Sequence, residues 1–233
     1  MITLKHLSKV YRTTEIETVA LRDINLEVAA GEFIAVMGPS GCGKSTFLNI
    51  VGMLDSPTVG EYWFGAQNIA GRTETELSGI RKNSIGFVFQ SFNLIDELTV
   101  TENVELALLY HSDISRTERK DRVQTALDRV KIGHRARHMP QQLSGGQQQR
   151  VAIARAVVSK PKLILADEPT GNLDSKNGEA VMRLLADLHR EGSTICMVTH
   201  DQRFARHAAR EVHLFDGKVV SEQEQKLEEE AMV

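Results

Sequence analysis

Eight residues, Gly38-Pro39-Ser40-Gly41-Cys42-Gly43-Lys44-Ser45, have the types and spacing to hold a chain of phosphates. They fit the pattern G-x-x-x-x-G-K-[ST]. Gly38, Gly41 and Gly43 let the backbone curl closely, so that its N–H groups, those of Ser40 and Cys42 included, converge on phosphate oxygens. Lys44 reaches the β- and γ-phosphates as a mobile positive charge. The Ser45 hydroxyl suits Mg²⁺, with Thr46 as a supporting donor. The flanks agree. Phe33–Met37 ahead is a short apolar run that reads as a buried strand, and Thr46–Val51 behind places apolar residues at helical spacing. A helix starting near Lys44 adds its positive end to the same place. Cys42 lies beside Lys44 and that helix end, both of which favour thiolate, so the sequence predicts a thiol open to maleimide.

Three further stretches could act on a bound nucleotide. Leu163–Glu168 is an apolar strand ending in two carboxylates. Asp167 suits Mg²⁺, and Glu168 is placed to orient and deprotonate an attacking water. Leu143-Ser144-Gly145-Gly146-Gln147 is a phosphate site without a lysine. Ser144 caps a helix, while Gly145 and Gly146 expose backbone N–H groups near its positive end. His200 follows the apolar strand Thr194–Val198, where an imidazole can donate to a γ-phosphate oxygen and sense its loss. The other seven histidines show no metal-ligand spacing.

The elements that must carry these groups alternate in type. Ile2–Val10 and Val19–Val28 read as strands, and Thr58–Ile69 as a hairpin region punctuated by Gly60 and Gly65. Ile85–Gln90 is a further strand. Helical composition follows: an amphipathic stretch over Thr101–Leu109, a capping box at Ser115–Glu118 opening a helix to about Val130, and a helix from Ser144 through Val158. Strand–helix alternation then resumes: a strand at Lys162–Ala166, a helix over Ser175–Arg190, a strand at Thr194–Val198, a helix over Asp201–Ala209 and a strand at Glu211–Phe215. Such repetition makes a parallel sheet covered by helices. The expected fold is α/β: a P-loop NTPase core with a mixed or parallel sheet, an antiparallel β region at the N-terminus and an inserted α-helical subdomain. Residues 1–90 and 161–220 would form the core, 91–160 the helical subdomain and 221–233 an acidic tail.

Composition removes several function classes. The chain has 233 residues, 41% hydrophobic and 25% charged, enough apolar material for a core. A net charge of −3 and 5% aromatic residues argue against a nucleic-acid partner. Two cysteines, Cys42 and Cys196, make no disulfide framework and fit a reducing cytoplasm. No signal-peptide pattern and no apolar run of membrane-spanning length is present, so any membrane role is expected to come through a partner.

With these motifs in order, the chain resembles the nucleotide-binding subunits of ATP-binding cassette transporters over essentially residues 1–220. Gly38–Ser45 is similar to that family's Walker A motif, Leu163–Asp167 to its Walker B and Leu143–Gln147 to its signature. Gln90 matches the Q-loop glutamine, a further metal ligand, and Asn172-Leu173-Asp174 the D-loop, with Asp174 at the nucleotide. His200 matches the switch histidine, and Tyr11 the aromatic that stacks on adenine. The resemblance implies an ATPase that uses ATP and Mg²⁺ and dimerises head to tail, Lys44 of one chain and Ser144 of the other enclosing each ATP. The partner would be an integral membrane permease, placing this subunit on the inner face of the cell membrane. Leu165–Asp174 and Phe87–Leu94 resemble the branch serving lipoprotein-releasing and macrolide-exporting systems. The rival is a non-transport cassette, above all a transmembrane signalling or cell-division scaffold.

Overall fold

The structure is a computed structural model that describes residues 1–14 and 16–221. The acidic tail expected over 221–233 lies, apart from Ser221, outside the described residues.

Strands β1 (Ile2–Arg12) and β2 (Glu17–Val28) pair antiparallel, with Ile2 opposite Val28 and Arg12 opposite Glu17. The pleat buries Ile2 and Leu4, and a register shift then moves the buried face to Leu7. His6 and Asp23 take up the irregularity with φ of 49° and 51°. β3 (Phe33–Met37) is buried at every position, as expected of a strand covered on both faces. It leads through the phosphate-binding sequence to α1 (Lys44–Val51). β4 (Val59–Phe64) pairs antiparallel with β1, and β5 (Gln67–Asn68) folds back on β4.

Helix α2 (Glu74–Ser84) is absent from the sequence expectation. Its start carries a capping signal: Thr73 N donates to Glu76 Oε2 at 2.9 Å, and Glu76 N donates to Thr73 Oγ1 at 3.4 Å. Strand β6 (Ile85–Val88), α3 (Val100–Glu105) with a 3₁₀ turn at Leu106–Leu108, α4 (Arg116–Arg129), α5 (Gly145–Val157), β7 (Leu163–Asp167) and α6 (Ser175–Arg190) follow. The box at Ser115 is only half made. Ser115 Oγ accepts from Glu118 N, but Glu118 Oε1 takes Arg122 Nη2 at 2.6 Å, a charged donor one turn on. β8 (Thr194–Val198), α7 (Gln202–Ala205), β9 (Arg210–Phe215) and β10 (Lys218–Val220) complete the described chain. α7 is shorter than the predicted 201–209. His207 N and Ala208 N make tight bonds three residues back, to Phe204 O and Ala205 O, and Ala209 N donates to Phe33 O, committing the chain to the next strand.

Two compact units result: Met1–Ser78 with the chain from Cys196 on, and Gly79–Ile195. The first holds the antiparallel sheet β2-β1-β4-β5. It also pairs β3 parallel with β9, Ile34 opposite Arg210 and Met37 opposite His213, and β9 antiparallel with β10. The second pairs β6 parallel with β7, Ile85 opposite Leu163, and packs α5 on β6 and on α3 and α4. The stretch 91–160 falls wholly within this second unit.

Candidate functional site

In the first unit, β3 delivers the chain to a tightly wound loop. Gly38 has φ 153°, and a Cβ there would strike the Leu214 backbone carbonyl and approach Cys42 Sγ to 2.7 Å. Gly43, at φ 106°, would drive a Cβ to 2.5 Å from Ala20 O. Only glycine fits either position, because the backbone itself is the obstacle. Gly217 N donates to Cys42 O at 3.0 Å, so the turn between β9 and β10 braces the loop from behind. Gly43 caps α1 with no side-chain hydrogen bond, leaving the first-turn N–H groups for an anion. Lys44, 8% exposed, donates from Nζ to Gly38 O at 2.8 Å and Pro39 O at 2.7 Å. Its charge is thus held inside the loop it serves. Ser45 and Thr46 open the helix beside it.

Cys42 differs from the expectation. It is 5% exposed, and burial pushes its thiol above the ordinary value despite the opposing charge of Lys44. The loop wraps the sulfur against Gly38, so desolvation outweighs the electrostatics that the sequence displays.

Tyr11 is 40% exposed on β1 and fixed at its far end, its hydroxyl donating to Asp55 Oδ2 at 2.9 Å. Lys9 Nζ lies 4.8 Å from the ring centroid and donates to Asp55 Oδ1 at 2.6 Å. Burial raises the Asp55 pKa, but the bonds from Lys9, Tyr11 and the Ser56 N–H outweigh it and hold the carboxyl below its usual range. The ring is therefore a positioned surface rather than a loose side chain. Lys9 and Asp55, which position it, carry no motif signal. His200 is exposed after β8; Thr199 N donates to Val36 O at 3.2 Å, which sets the turn carrying His200 against β3.

In the second unit, Asp167 ends β7 and Glu168 follows it, both half-buried. Glu168 has φ 42°, a left-handed conformation that costs a non-glycine residue about 1 kcal/mol. Its carbonyl accepts from Gly171 N at 3.0 Å. Gln90 and Asn172 are locked together: Gln90 Nε2 donates to Asn172 Oδ1 at 3.3 Å and Asn172 Nδ2 to Gln90 O at 3.1 Å. That use of the Gln90 amine leaves its Oε1, the atom a hard cation takes.

Ser144 caps α5 as expected. Gln147 completes a capping box, with Ser144 N donating to its Oε1 at 3.0 Å and Gln147 N to Ser144 Oγ at 3.4 Å. The two glycines serve different ends. Gly145 is half-buried with Leu173 and Phe92 at its open face, whereas Gly146 is buried, and a Cβ there would meet Asn177 at 2.5 Å. The second glycine thus permits close packing against Asn177. Asp174 caps α6: Asn177 N donates to its Oδ1 at 2.9 Å and Asn177 Nδ2 to its Oδ2 at 2.7 Å. Those donors hold its carboxyl below the usual range.

Two residues that the motifs do not name tie these loops together. Arg155, on α5, donates from Nη2 to Phe92 O at 2.8 Å and from Nη1 to Asn93 O, gripping a pair of left-handed residues with φ of 60° and 50°. Gln149, 0% exposed one turn into α5, donates from Nε2 to Pro169 O at 2.7 Å. Both reach backbone carbonyls, which leave no trace in a sequence pattern.

The family model described as ABC transporter matches residues 21–171. The uncharacterised ABC transporter ATP-binding protein MJ1508 of Methanocaldococcus jannaschii is 49% identical over 220 residues, 94% of this chain and 98% of its own length. The macrolide export ATP-binding/permease protein MacB of Bartonella quintana is 45% identical over 222 residues, 95% of this chain but 34% of MacB. A solved dimeric structure of a post-hydrolysis state of the ATP-binding cassette MJ0796 bound to ADP and Pi matches with a TM-score of 0.87 at 48% identity, covering 95% of this chain and 97% of the other. The phosphate loop of the first unit, the carboxylate and signature loops of the second, and these matches lead to one conclusion: the chain belongs to the ABC transporter family, as an ATP-binding cassette with the α/β fold of that family's ATPases.

Proposed function

We propose that the chain works as a head-to-tail homodimer that binds and hydrolyses MgATP and drives a separate integral membrane permease. The observation that carries this reading is the pair of unlike helix N-termini. α1 is uncapped and has Lys44 at its first position; α5 has no lysine and is capped by Ser144. The first suits a phosphate chain by itself. The second lacks the charge to hold one alone, which fits the outer jaw of a clamp supplied by a second copy under two-fold symmetry. The solved dimeric structure of MJ0796 supports assembly as a dimer, and the MacB protein, named for both ATP-binding and permease parts, supports coupling to export. The transported substrate would be a lipoprotein, peptide or drug-like molecule, in line with the branch the sequence resembles. No described helix is long and apolar enough to cross a membrane, so attachment to the inner face of the membrane would run through the permease.

The roles follow from donor chemistry. Gly38, Ser40, Gly41, Cys42 and Gly43 present backbone N–H groups, and Lys44 supplies charge to the β- and γ-phosphates. Ser45, Gln90 and Asp167 would hold Mg²⁺, which when bound neutralises developing phosphate charge. Glu168 orients and deprotonates water, His200 donates to the γ-phosphate, and Tyr11 stacks on the base. Ser144, Gly145, Gly146, Gln147 and Asp174 face the nucleotide of the other chain.

The test is a trapping experiment by size-exclusion chromatography with MgATP. Glu168→Gln should retain ATP binding, lose turnover by about 10²–10⁴ and accumulate an ATP-bound dimer. Adding Lys44→Ala or Gly145→Asp to that background should abolish the dimer. Mixing those two damaged chains should restore a heterodimer, since one site then pairs an intact loop with an intact signature. No rescue on mixing overturns the head-to-tail geometry, and normal turnover of Glu168→Gln overturns its role as base.

A further inference from the structure

Gln149 has no place in the chemistry just described, yet it is fully buried on the helix that begins with the signature. Its Nε2 donates to Pro169 O, the carbonyl of the residue after Glu168, at 2.7 Å. Its Oε1 is buried and accepts no hydrogen bond among the described residues. A half-satisfied buried amide costs stability that a methionine of similar shape would not, so the donated bond needs a reason beyond folding. The bond ends on the loop that holds Glu168 in its left-handed conformation. The same helix meets the D-loop and the start of α6 at its first turn, Gly145 against Leu173 and Gly146 against Asn177. A shift of α5 would thus be passed through Gln149 to the backbone beside the hydrolytic carboxylate.

We propose that Gln149 is a positioning residue linking the signature helix to the Glu168 loop of the same chain. This rests on the head-to-tail reading above. In such a dimer the signature of one chain senses the ATP bound by the other, whereas Glu168 acts on the ATP of its own chain. Gln149 then relays occupancy of one site to hydrolysis at the other, and closure on both nucleotides becomes a condition for turnover at either.

The experiment compares Gln149→Met with the parent by thermal melting, ATP-dependent dimerisation in the Glu168→Gln background, and ATPase rate against ATP concentration. The parent should give a Hill coefficient approaching its two-site limit of about 2. Gln149→Met should melt at or above the parent temperature and still form the trapped dimer. Its Hill coefficient should fall to about 1, with kcat reduced by about threefold to tenfold and KM little changed. An unchanged Hill coefficient in a stable variant overturns the relay, as does a parent coefficient of 1 with the trapped dimer intact. Absence of the trapped dimer in Glu168→Gln alone would instead overturn the head-to-tail reading. If Gln149→Met melts below the parent, Gln149→Glu is measured across pH. A protonated carboxyl donates to Pro169 O and an ionised one does not, so its Hill coefficient relative to the parent should recover on the acid side. Parallel pH profiles overturn the proposal.

Discussion

The two helix N-termini of this cassette are built on opposite plans. α1 begins at a glycine with no side-chain cap, and its lysine folds back onto Gly38 O and Pro39 O. α5 begins at a serine that is reciprocally capped by Gln147, on glycines chosen for contact with Leu173, Phe92 and Asn177. The first holds its donors and its charge ready for a ligand. The second spends part of its donor set on itself and is wired to its neighbours by Gln149 and Arg155. One terminus is left open to an anion and the other is tied to its neighbours, and glycine serves both ends by different means.

The largest effect should come from testing those glycines against each other. Gly38→Ala forces a Cβ into the Leu214 carbonyl, with no flexible side chain to yield. It should abolish ATP binding and cost about 3 kcal/mol or more in stability. Gly145→Ala meets Leu173 Cδ2 at 3.4 Å and Phe92 Cζ at 3.6 Å, ordinary contact. It should leave ATP binding by the single chain unchanged and stability within about 0.5 kcal/mol. Calorimetric titration and thermal melting of both variants check this, and equal loss of binding in the two would erase the distinction.

A smaller effect concerns Cys42, the one side chain in the phosphate loop whose environment contradicts its sequence neighbours. Its raised pKa and burial predict maleimide labelling of the native chain at neutral pH at least about tenfold slower than of the urea-unfolded chain. Labelling at the unfolded rate would mean that the loop opens readily and that the order of the α1 terminus is overstated.

The smallest effect lies on the α6 cap. The Asp174 pKa is lowered from 3.8 by the Asn177 donors, so its contribution to stability is present above that value and is lost as pH falls through the folded pKa. Asp174→Asn keeps the cap without the charge. Its melting deficit relative to the parent, followed from pH 6 to pH 3, should shrink below about pH 4. A deficit that stays constant would remove electrostatics from the D-loop cap.

Legibility in the sequence followed the kind of partner each residue has. Strands β3, β7 and β8 announce themselves by apolar runs, and α6 by amphipathic spacing and its Asp174 cap. α2 hides because Leu77 is its one deeply buried apolar residue, leaving almost no periodicity. β10 is three residues long and is defined by pairing with β9 rather than by pattern. Among the candidate site residues, Lys44, Ser144 and Asp167 were readable because their chemistry is in the side chain and the spacing is short. Gln149 and Arg155 were not, because their partners are main-chain carbonyls at Pro169, Phe92 and Asn93. The left-handed backbone at Glu168, Phe92 and Asn93 was equally hidden, since none of these residue types signals it.

The brace behind the phosphate loop has a consequence for synthesis. Cys42 O is held by Gly217 N, and β3 is paired along its length with β9, from Ile34 to Met37. These partners lie far apart in the chain, so closing them carries a large entropic cost and comes late in folding. On a ribosome, the N-terminal strands emerge long before residues 210–217, and through that interval the loop sequence lacks the frame that shapes it. A nascent chain should therefore gain its hold on ATP only once residues 210–217 have emerged, when nearly every group proposed to hydrolyse it has already been made.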